Sequence, residues 1–357
     1  MKVVTIVGAR PQFIKAAAVS RSIRKRKNIR EILLHTGQHF DANMSAVFFD
    51  ELEIPKPAYN LDINNLHHGA MTGRMLEGIE EILLKEKPDW VMVYGDTNST
   101  IAGSLAAKKL HLKVAHVEAG MRSFNMRSPE EINRILTDRV SDLLLCSTTA
   151  ARENLQREGF QSFDCKIILS GDVMYDAALY YSEKAQQDLQ ILKAIPFKEF
   201  VLCTLHREEN TDDPATLKHI LSALKKIHRE IPVVLPLHPR TRRRLKSFDL
   251  KFPFCIIDPV GYLGMLVLLN RCEMVITDSG GLQKEAFFFK KFCITLREET
   301  EWIELVHLGV NRIAGSDEKK ILSAFQFFGR KKFSAKEKPY GTGNASEKIV
   351  NALIRYS

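Results

Sequence analysis

Short apolar, β-branched runs alternate with longer helical patterns along almost the whole chain, and that rhythm leaves few architectures open. Repeated strand–helix–strand units build parallel sheets covered by helices. Lys2–Val7, Glu31–Thr36, Asp89–Tyr94, Lys113–Val117, Leu143–Cys146 and Lys166–Ser170 read as strands of a first half. Phe200–Thr204, Val233–Pro236, Cys255–Ile257, Met274–Thr277 and Phe292–Leu296 read as strands of a second. Helices are expected at about Phe13–Arg26, Ala42–Glu51, Met71–Lys85, after Ser99, from Pro129, from Val173 toward Ile191, at Pro214–Arg229, from Leu282 and at Ala345–Arg355. A weak pattern around Pro196 marks a linker over 186–198. At 357 residues the chain exceeds one compact core. The reading is α/β with two domains, 1–185 and 199–343.

The chemistry collects where strands end. Met274–Thr277 runs into Asp278-Ser279-Gly280-Gly281, and a helix follows from Leu282. Free N–H groups and the positive end of a helix dipole then surround one point, which suits a phosphate or diphosphate. A turn that only redirects the chain is the plainer reading of Ser-Gly-Gly. Glu285, expected on the first turn, repels phosphate but accepts hydrogen bonds from ribose hydroxyls. His206 and His238 each sit just past a strand with arginine close behind, a pattern that fits a diphosphate clamp better than two structural hydrogen-bonders.

The first half offers acids. Gly8-Ala9-Arg10-Pro11-Gln12 is a loop without the Gly-x-Gly-x-x-Gly dinucleotide signature; Arg10 and Lys15 place two cations there. Two successive strands deliver Asp96 and Glu118 at the edge where open α/β sheets put ligands. Asp96 also reads as a helix N-cap; Glu118 has no such structural reading. Ser128-Pro129-Glu130-Glu131 starts a helix, with Ser128 as cap. Glu130 and Arg134, four apart, share a face, as a surface ion pair or as part of a carboxylate cluster.

Composition excludes several classes. No apolar run reaches the ~18 residues of a membrane span, and Arg10-Pro11 cuts the apolar start short of a signal-peptide core. The six cysteines are scattered without a Cys-x-x-Cys pair, reading as reduced residues of a cytoplasmic protein with no metal site. Net charge is +9, with basic clusters at Arg21 to Lys27, Arg240 to Lys246 and Arg330 to Lys332. No nucleic-acid module accompanies them, so solvated helix faces and attraction of an anionic small substrate explain them better.

Together the ordered segments Gly8-Ala9-Arg10-Pro11-Gln12, Tyr94-Gly95-Asp96-Thr97, His116-Val117-Glu118-Ala119-Gly120, Pro129-Glu130-Glu131-Ile132-Asn133-Arg134, His206-Arg207, Thr277-Asp278-Ser279-Gly280-Gly281 and Pro339-Tyr340-Gly341 resemble the non-hydrolysing UDP-N-acetylglucosamine 2-epimerases. The match spans nearly the whole chain. It implies the GT-B architecture, two Rossmann-like domains facing a central cleft, with the helix at 344–357 crossing back to the first. Thr36-Gly37-Gln38-His39-Phe40-Asp41-Ala42-Asn43-Met44, Arg122-Ser123-Phe124-Asn125-Met126-Arg127 and Lys284-Glu285-Ala286-Phe287-Phe288-Phe289 look closest to a branch acting on UDP-2,3-diacetamido-2,3-dideoxyglucuronic acid, for surface polysaccharide synthesis. Departures from the N-acetylglucosamine enzymes stand at Phe40, Glu208 and Trp302.

The resemblance implies a chemistry that the residues can supply. The C2 proton of an N-acetyl sugar is not acidic, so the family eliminates UDP to leave a 2-acetamidoglycal and re-adds it after protonation on the other face. That requires proton-transfer groups on both sides of C2 and cations for the departing diphosphate. Asp96, Glu118, Glu130 and His206 are the catalytic candidates. Arg10, Lys15, Arg134, His238, Ser279, Gly280, Gly281 and Glu285 are the substrate-binding ones. A second UDP-sugar site falls on Gln38, His39, Arg74 and Arg207. Partners are the UDP-sugar and UDP, with no cofactor, nucleic acid or membrane, in a homodimer. A GT-B glycosyltransferase, a hydrolysing UDP-sugar 2-epimerase and a UDP-sugar-binding sensor remain as alternatives, since fold alone does not set function.

Overall fold

The structure, a computed structural model, describes residues 1–38, 53–54, 56–185, 190–248 and 253–357. The helix expected at Ala42–Glu51, like His39 and Phe40 to Met44, lies outside the described residues. Residue contacts divide the chain into two units, one of Met1–Ala177 with Lys338–Ser357 and one of Ala178–Glu337.

In the first unit the strands are β1 (Lys2–Val7), β2 (Arg30–His35), β3 (Tyr59–Asn60), β4 (Trp90–Tyr94), β5 (Lys113–Ala119), β6 (Leu143–Cys146) and β7 (Lys166–Leu169). They form one seven-stranded sheet, ordered β3-β2-β1-β4-β5-β6-β7, with every pairing parallel. The helices are α1 (Arg10–Arg24), α2 (His68–Glu86), α3 (Asn98–Lys109), α4 (Pro129–Val140), α5 (Thr149–Arg157) and α6 (Val173–Ala185), whose last turns pass into the second unit. Parallel strands covered on both faces are apolar throughout, and all five residues of β4 are buried. Val4, Ile6, Val91 and Val93 pack with Met75 and Ile79 of α2 and Ala102 and Ala106 of α3.

Two details differ from the sequence reading. β3 is only two residues long, too short for any periodicity to reveal. α1 begins at Arg10 instead of Phe13, because Gln12 folds back and its Oε1 accepts from the N–H groups of Gly8 (2.8 Å) and Ala9 (3.0 Å). Pro11 then occupies the first turn, where a missing N–H costs nothing.

The second unit carries α7 (Glu208–Thr211), α8 (Pro214–Glu230), α9 (Pro239–Ser247), α10 (Tyr262–Arg271), α11 (Gly280–Phe288), α12 (Ile303–His307) and α13 (Glu318–Gly329). Its strands are β8 (Val201–Thr204), β9 (Val233–Pro236), β10 (Cys255–Ile257), β11 (Met274–Thr277), β12 (Phe292–Thr295) and β13 (Asn311–Ile313), in a parallel sheet ordered β10-β9-β8-β11-β12-β13. The last helix, α14 (Ala345–Arg355), belongs to the first unit. Asp176 of α6 accepts from the N–H groups of Ala345 (3.0 Å) and Ser346 (2.8 Å), while Ser346 meets Ser22 of α1 at 3.0 Å.

Strand order reverses between β1 and β4 in one sheet and between β8 and β11 in the other. Open parallel sheets take ligands at the carboxyl ends of such switch points. Both are where the candidate residues converge.

Candidate active site

In the first unit the switch point opens into a cavity of about 230 Å³, lined among others by Lys15, Gln38, His68, Asp96, Glu130 and Asn133. Gln12 ties its two rims together, donating to Tyr94 O (2.8 Å) and Thr97 Oγ1 (3.0 Å) after β4 while gripping the turn after β1. Thr97, not Asp96, caps α3, its side chain accepting from Thr100 N at 3.3 Å. The capping role that competed for Asp96 is thus filled by its neighbour.

Asp96 pairs with the Arg134 guanidinium, and Asn133 donates to its carbonyl at 3.0 Å. Burial pushes the Asp96 carboxyl above the usual range, with the Glu118 charge adding to it while Arg134 and Lys15 pull back. Its side chain nevertheless keeps 32% of its surface exposed.

Glu118 forms an ion pair with Lys15, and both side chains are largely buried. Glu118 sits at φ 75°, in the left-handed region, where β5 shifts register between Val117 and Ala119. Such a conformation costs a non-glycine residue about 1–3 kcal/mol. Gly95, at φ +61°, lies against this pair: a Cβ there would stand 3.4 Å from both Glu118 Oε2 and Lys15 Nζ.

Of the two readings for Glu130 and Arg134, the surface ion pair does not form. Arg134 binds Glu131 instead, Nη1 to Oε2 at 3.0 Å, three residues back on α4. Glu131 is buried because it also accepts from Ser123 N and Oγ and from Phe124 N, all at 2.9 Å, anchoring that loop. Glu130 is exposed at the cavity, and Ser128 Oγ donates to it at 2.5 Å. Ser128 thus serves a carboxylate rather than capping α4 with its side chain, since a charged acceptor makes the stronger bond. Arg10 opens α1 half-buried.

In the second unit the organiser is Asp278, a residue fully buried at the end of β11. Its Oδ2 accepts from the N–H groups of His206 and Arg207, each at 2.9 Å, and its Oδ1 lies 3.0 Å from His206 Nδ1. Burial alone would raise this carboxyl; the His206 ring and the two amides outweigh that and hold it below the usual range. His206 keeps 44% of its side chain exposed. His238 caps α9, its Nδ1 accepting from Arg240 N at 3.3 Å. Partial burial lowers the His238 ring from its ordinary value, and the charges of His206, Arg240 and Arg243 add to that.

Ser279 caps α11, which starts at Gly280 rather than Leu282. Glu285 therefore stands on the second turn and is buried, a correction to its expected place on the first. Gly281 neither adopts a left-handed φ nor has any described atom within 4 Å of a Cβ built upon it, so the chain itself does not call for glycine there. Trp302 donates from Nε1 to Gly280 O at 2.9 Å, with Lys284 Nζ 4.1 Å from its ring centre.

Of the other residues, Gln38 accepts from Ser99 N (3.1 Å) and Oγ (2.7 Å) at the first cavity. Arg74 is exposed on α2, Arg207 belongs to the second unit, and His39 lies outside the described residues. Gln12, His68, Glu131 and Asp278 were not singled out from sequence as site residues. Only Asp278 carried a usable signal, an acid wedged between a buried strand and a capping serine. Among the described residues no group of three metal-ligating side chains occurs, and no helix is long and apolar enough to cross a membrane.

Two parallel-sheet units, with acids at one switch point and a helix N-terminus at the other, place the chain among α/β proteins of GT-B type. The UDP-N-acetylglucosamine 2-epimerase family profile matches residues 21–354, and the chain belongs to that family of isomerases. It is 54% identical, over 99% of this chain and all of the relative, to the UDP-2,3-diacetamido-2,3-dideoxy-D-glucuronate 2-epimerase of Pseudomonas aeruginosa. The Methanocaldococcus jannaschii UDP-GlcNAc 2-epimerase, solved with UDP-GlcNAc and UDP, superposes with a TM-score of 0.89 at 42% identity, covering 99% of this chain and 100% of that one. The Neisseria meningitidis enzyme bound to UDP-GlcNAc also gives 0.89, at 32% identity over 99% of this chain and 100% of that one.

Proposed function

We propose that this chain inverts C2 of a UDP-2-acetamido sugar without a cofactor, by elimination and re-addition of UDP. The observation that carries this reading is the pair of strand-end carboxylates, Asp96 and Glu118, each held by its own cation within one unit. One group removes the C2 proton; the C1–O bond breaks and its electrons leave with the UDP β-phosphate, giving a 2-acetamidoglycal. A second group then protonates C2 on the opposite face, and the UDP oxygen returns to C1. Asp96, Glu118 and Glu130 form the proton-transfer set. Arg10, His206, His238 and the N–H groups after Ser279 receive the diphosphate, and Glu285 takes the ribose hydroxyls. Lys15 and Arg134 hold the carboxylates in place as the sugar binds.

The substrate we propose is UDP-2,3-diacetamido-2,3-dideoxyglucuronic acid, for surface polysaccharide synthesis. The 54% identity to the Pseudomonas aeruginosa enzyme, against 42% to the Methanocaldococcus jannaschii UDP-GlcNAc enzyme, supports it. We further propose a cytoplasmic homodimer, on the family resemblance alone. Comparing kcat/KM on the two UDP-sugars, with the C2 epimer followed by NMR and no cofactor added, tests the reading. Preference for the diacetamido acid is expected. Equal or better turnover of UDP-N-acetylglucosamine overturns the substrate, and turnover of neither overturns the activity.

A further inference from the structure

His116 and Asp138 are both fully buried and line no part of the Asp96 cavity, yet they join the strand ends on which the proposed chemistry depends. His116 lies on β5, two residues before Glu118. Its Nε2 donates to Gly95 O at 2.7 Å, across the sheet at the residue preceding Asp96. Its Nδ1 meets Asp138 Oδ1 at 2.7 Å. Both ring nitrogens therefore face oxygens, and Nε2 donates to the Gly95 carbonyl.

Asp138 extends the connection. It sits on α4, one turn beyond Arg134, the residue that holds Asp96. Its Oδ2 accepts from Gly120 N (3.1 Å), just past Glu118, and from Arg122 Nη1 (2.7 Å). One imidazole and one carboxylate thus link the end of β4, both sides of the left-handed turn at Glu118, and the helix bearing Arg134. A buried pair this fully bonded is costly to build and rigid once built.

We propose that His116 and Asp138 form a positioning clasp that sets the spacing of Asp96 and Glu118 for proton transfer at C2. The proposal rests on the functional reading above. Its consequence is that disturbing the clasp slows the chemical step and leaves UDP binding, which rests mainly on the second unit in that reading, untouched.

His116→Phe keeps the ring's bulk and removes both hydrogen bonds. His116→Gln keeps one donor within reach of Gly95 O. For the Phe variant, kcat is expected to fall about tenfold to hundredfold, as small misplacements of catalytic groups do, with UDP Kd and stoichiometry unchanged by calorimetry. The Gln variant is expected to recover part of the loss. A merely structural role would lower kcat and UDP stoichiometry together, as protein unfolds, and that result overturns the clasp. So does a folded Phe variant with wild-type kcat. If the Phe variant does not fold, His116→Asn, which reaches Asp138 but not Gly95, carries the test: reduced kcat with intact UDP binding supports the clasp, and wild-type kcat overturns it. Active Asp96→Asn and Glu118→Gln enzymes would instead sink the functional reading itself, and the clasp with it.

Discussion

Asp278 grips the loop that presents His206 from both sides, with the ring nitrogen 3.0 Å from one carboxylate oxygen and the His206 and Arg207 amides 2.9 Å from the other. A carboxylate held below its usual pKa stabilises the folded state above its unfolded pKa, near 3.9, and loses that contribution as pH falls through the lower folded value. Asp278→Asn is therefore expected to cost about 1.5–3 kcal/mol at pH 7, the range for hydrogen bonds to a charged group. Urea unfolding at pH 7 and again below pH 4 checks this. The gap between variant and wild type should narrow at the acid end.

Asp96→Asn, Glu118→Gln and Glu130→Gln are each expected to lose about two to four powers of ten in kcat while remaining folded. Steady-state kinetics with circular dichroism on the same samples decides. Wild-type turnover in any of them removes that residue from the catalytic set.

The raised Asp96 carboxyl has a kinetic signature. If its ionised form is the base, the acid limb of kcat/KM against pH lies above the ordinary carboxylate range. Arg134 is the chief influence pulling that carboxyl down, so Arg134→Gln should move the limb to still higher pH. A limb that stays put in the variant detaches Asp96 from the profile.

UDP alone is expected to bind through the second unit. Glu285→Ala should weaken it roughly tenfold to hundredfold, the loss of charge-assisted bonds to ribose. Gly281→Ala, at a position where the chain itself leaves room for a methyl, should weaken UDP binding without lowering thermal stability. Calorimetry and a melting curve on both variants give the answer; unchanged affinity rejects the ribose and diphosphate assignments respectively.

Much of this site was legible in sequence because parallel sheets put their chemistry at strand ends. Asp96, Glu118, His206 and Ser279 could each be placed there from an apolar run followed by polar residues. What stayed hidden was partnership. Helical spacing pointed Arg134 at Glu130, and only tertiary geometry turned it to Asp96 and Glu131. Gln12 looked like part of a loop because its reach to Tyr94 O crosses from β1 to β4, a contact that no local pattern encodes. Glu285 moved from the first turn to the second because Gly280 and Gly281, poor helix formers, are nonetheless helical behind the Ser279 cap.

The most direct test of elimination and re-addition is exchange at C2. The enzyme is incubated with its UDP-sugar in deuterated water, after chelation and desalting, and both epimers are followed by NMR and mass spectrometry. One deuterium at C2 of the product epimer, with no accumulation of free sugar, is the predicted result. Epimerisation with the original hydrogen retained at C2, or release of UDP and free sugar in place of the epimer, would contradict it.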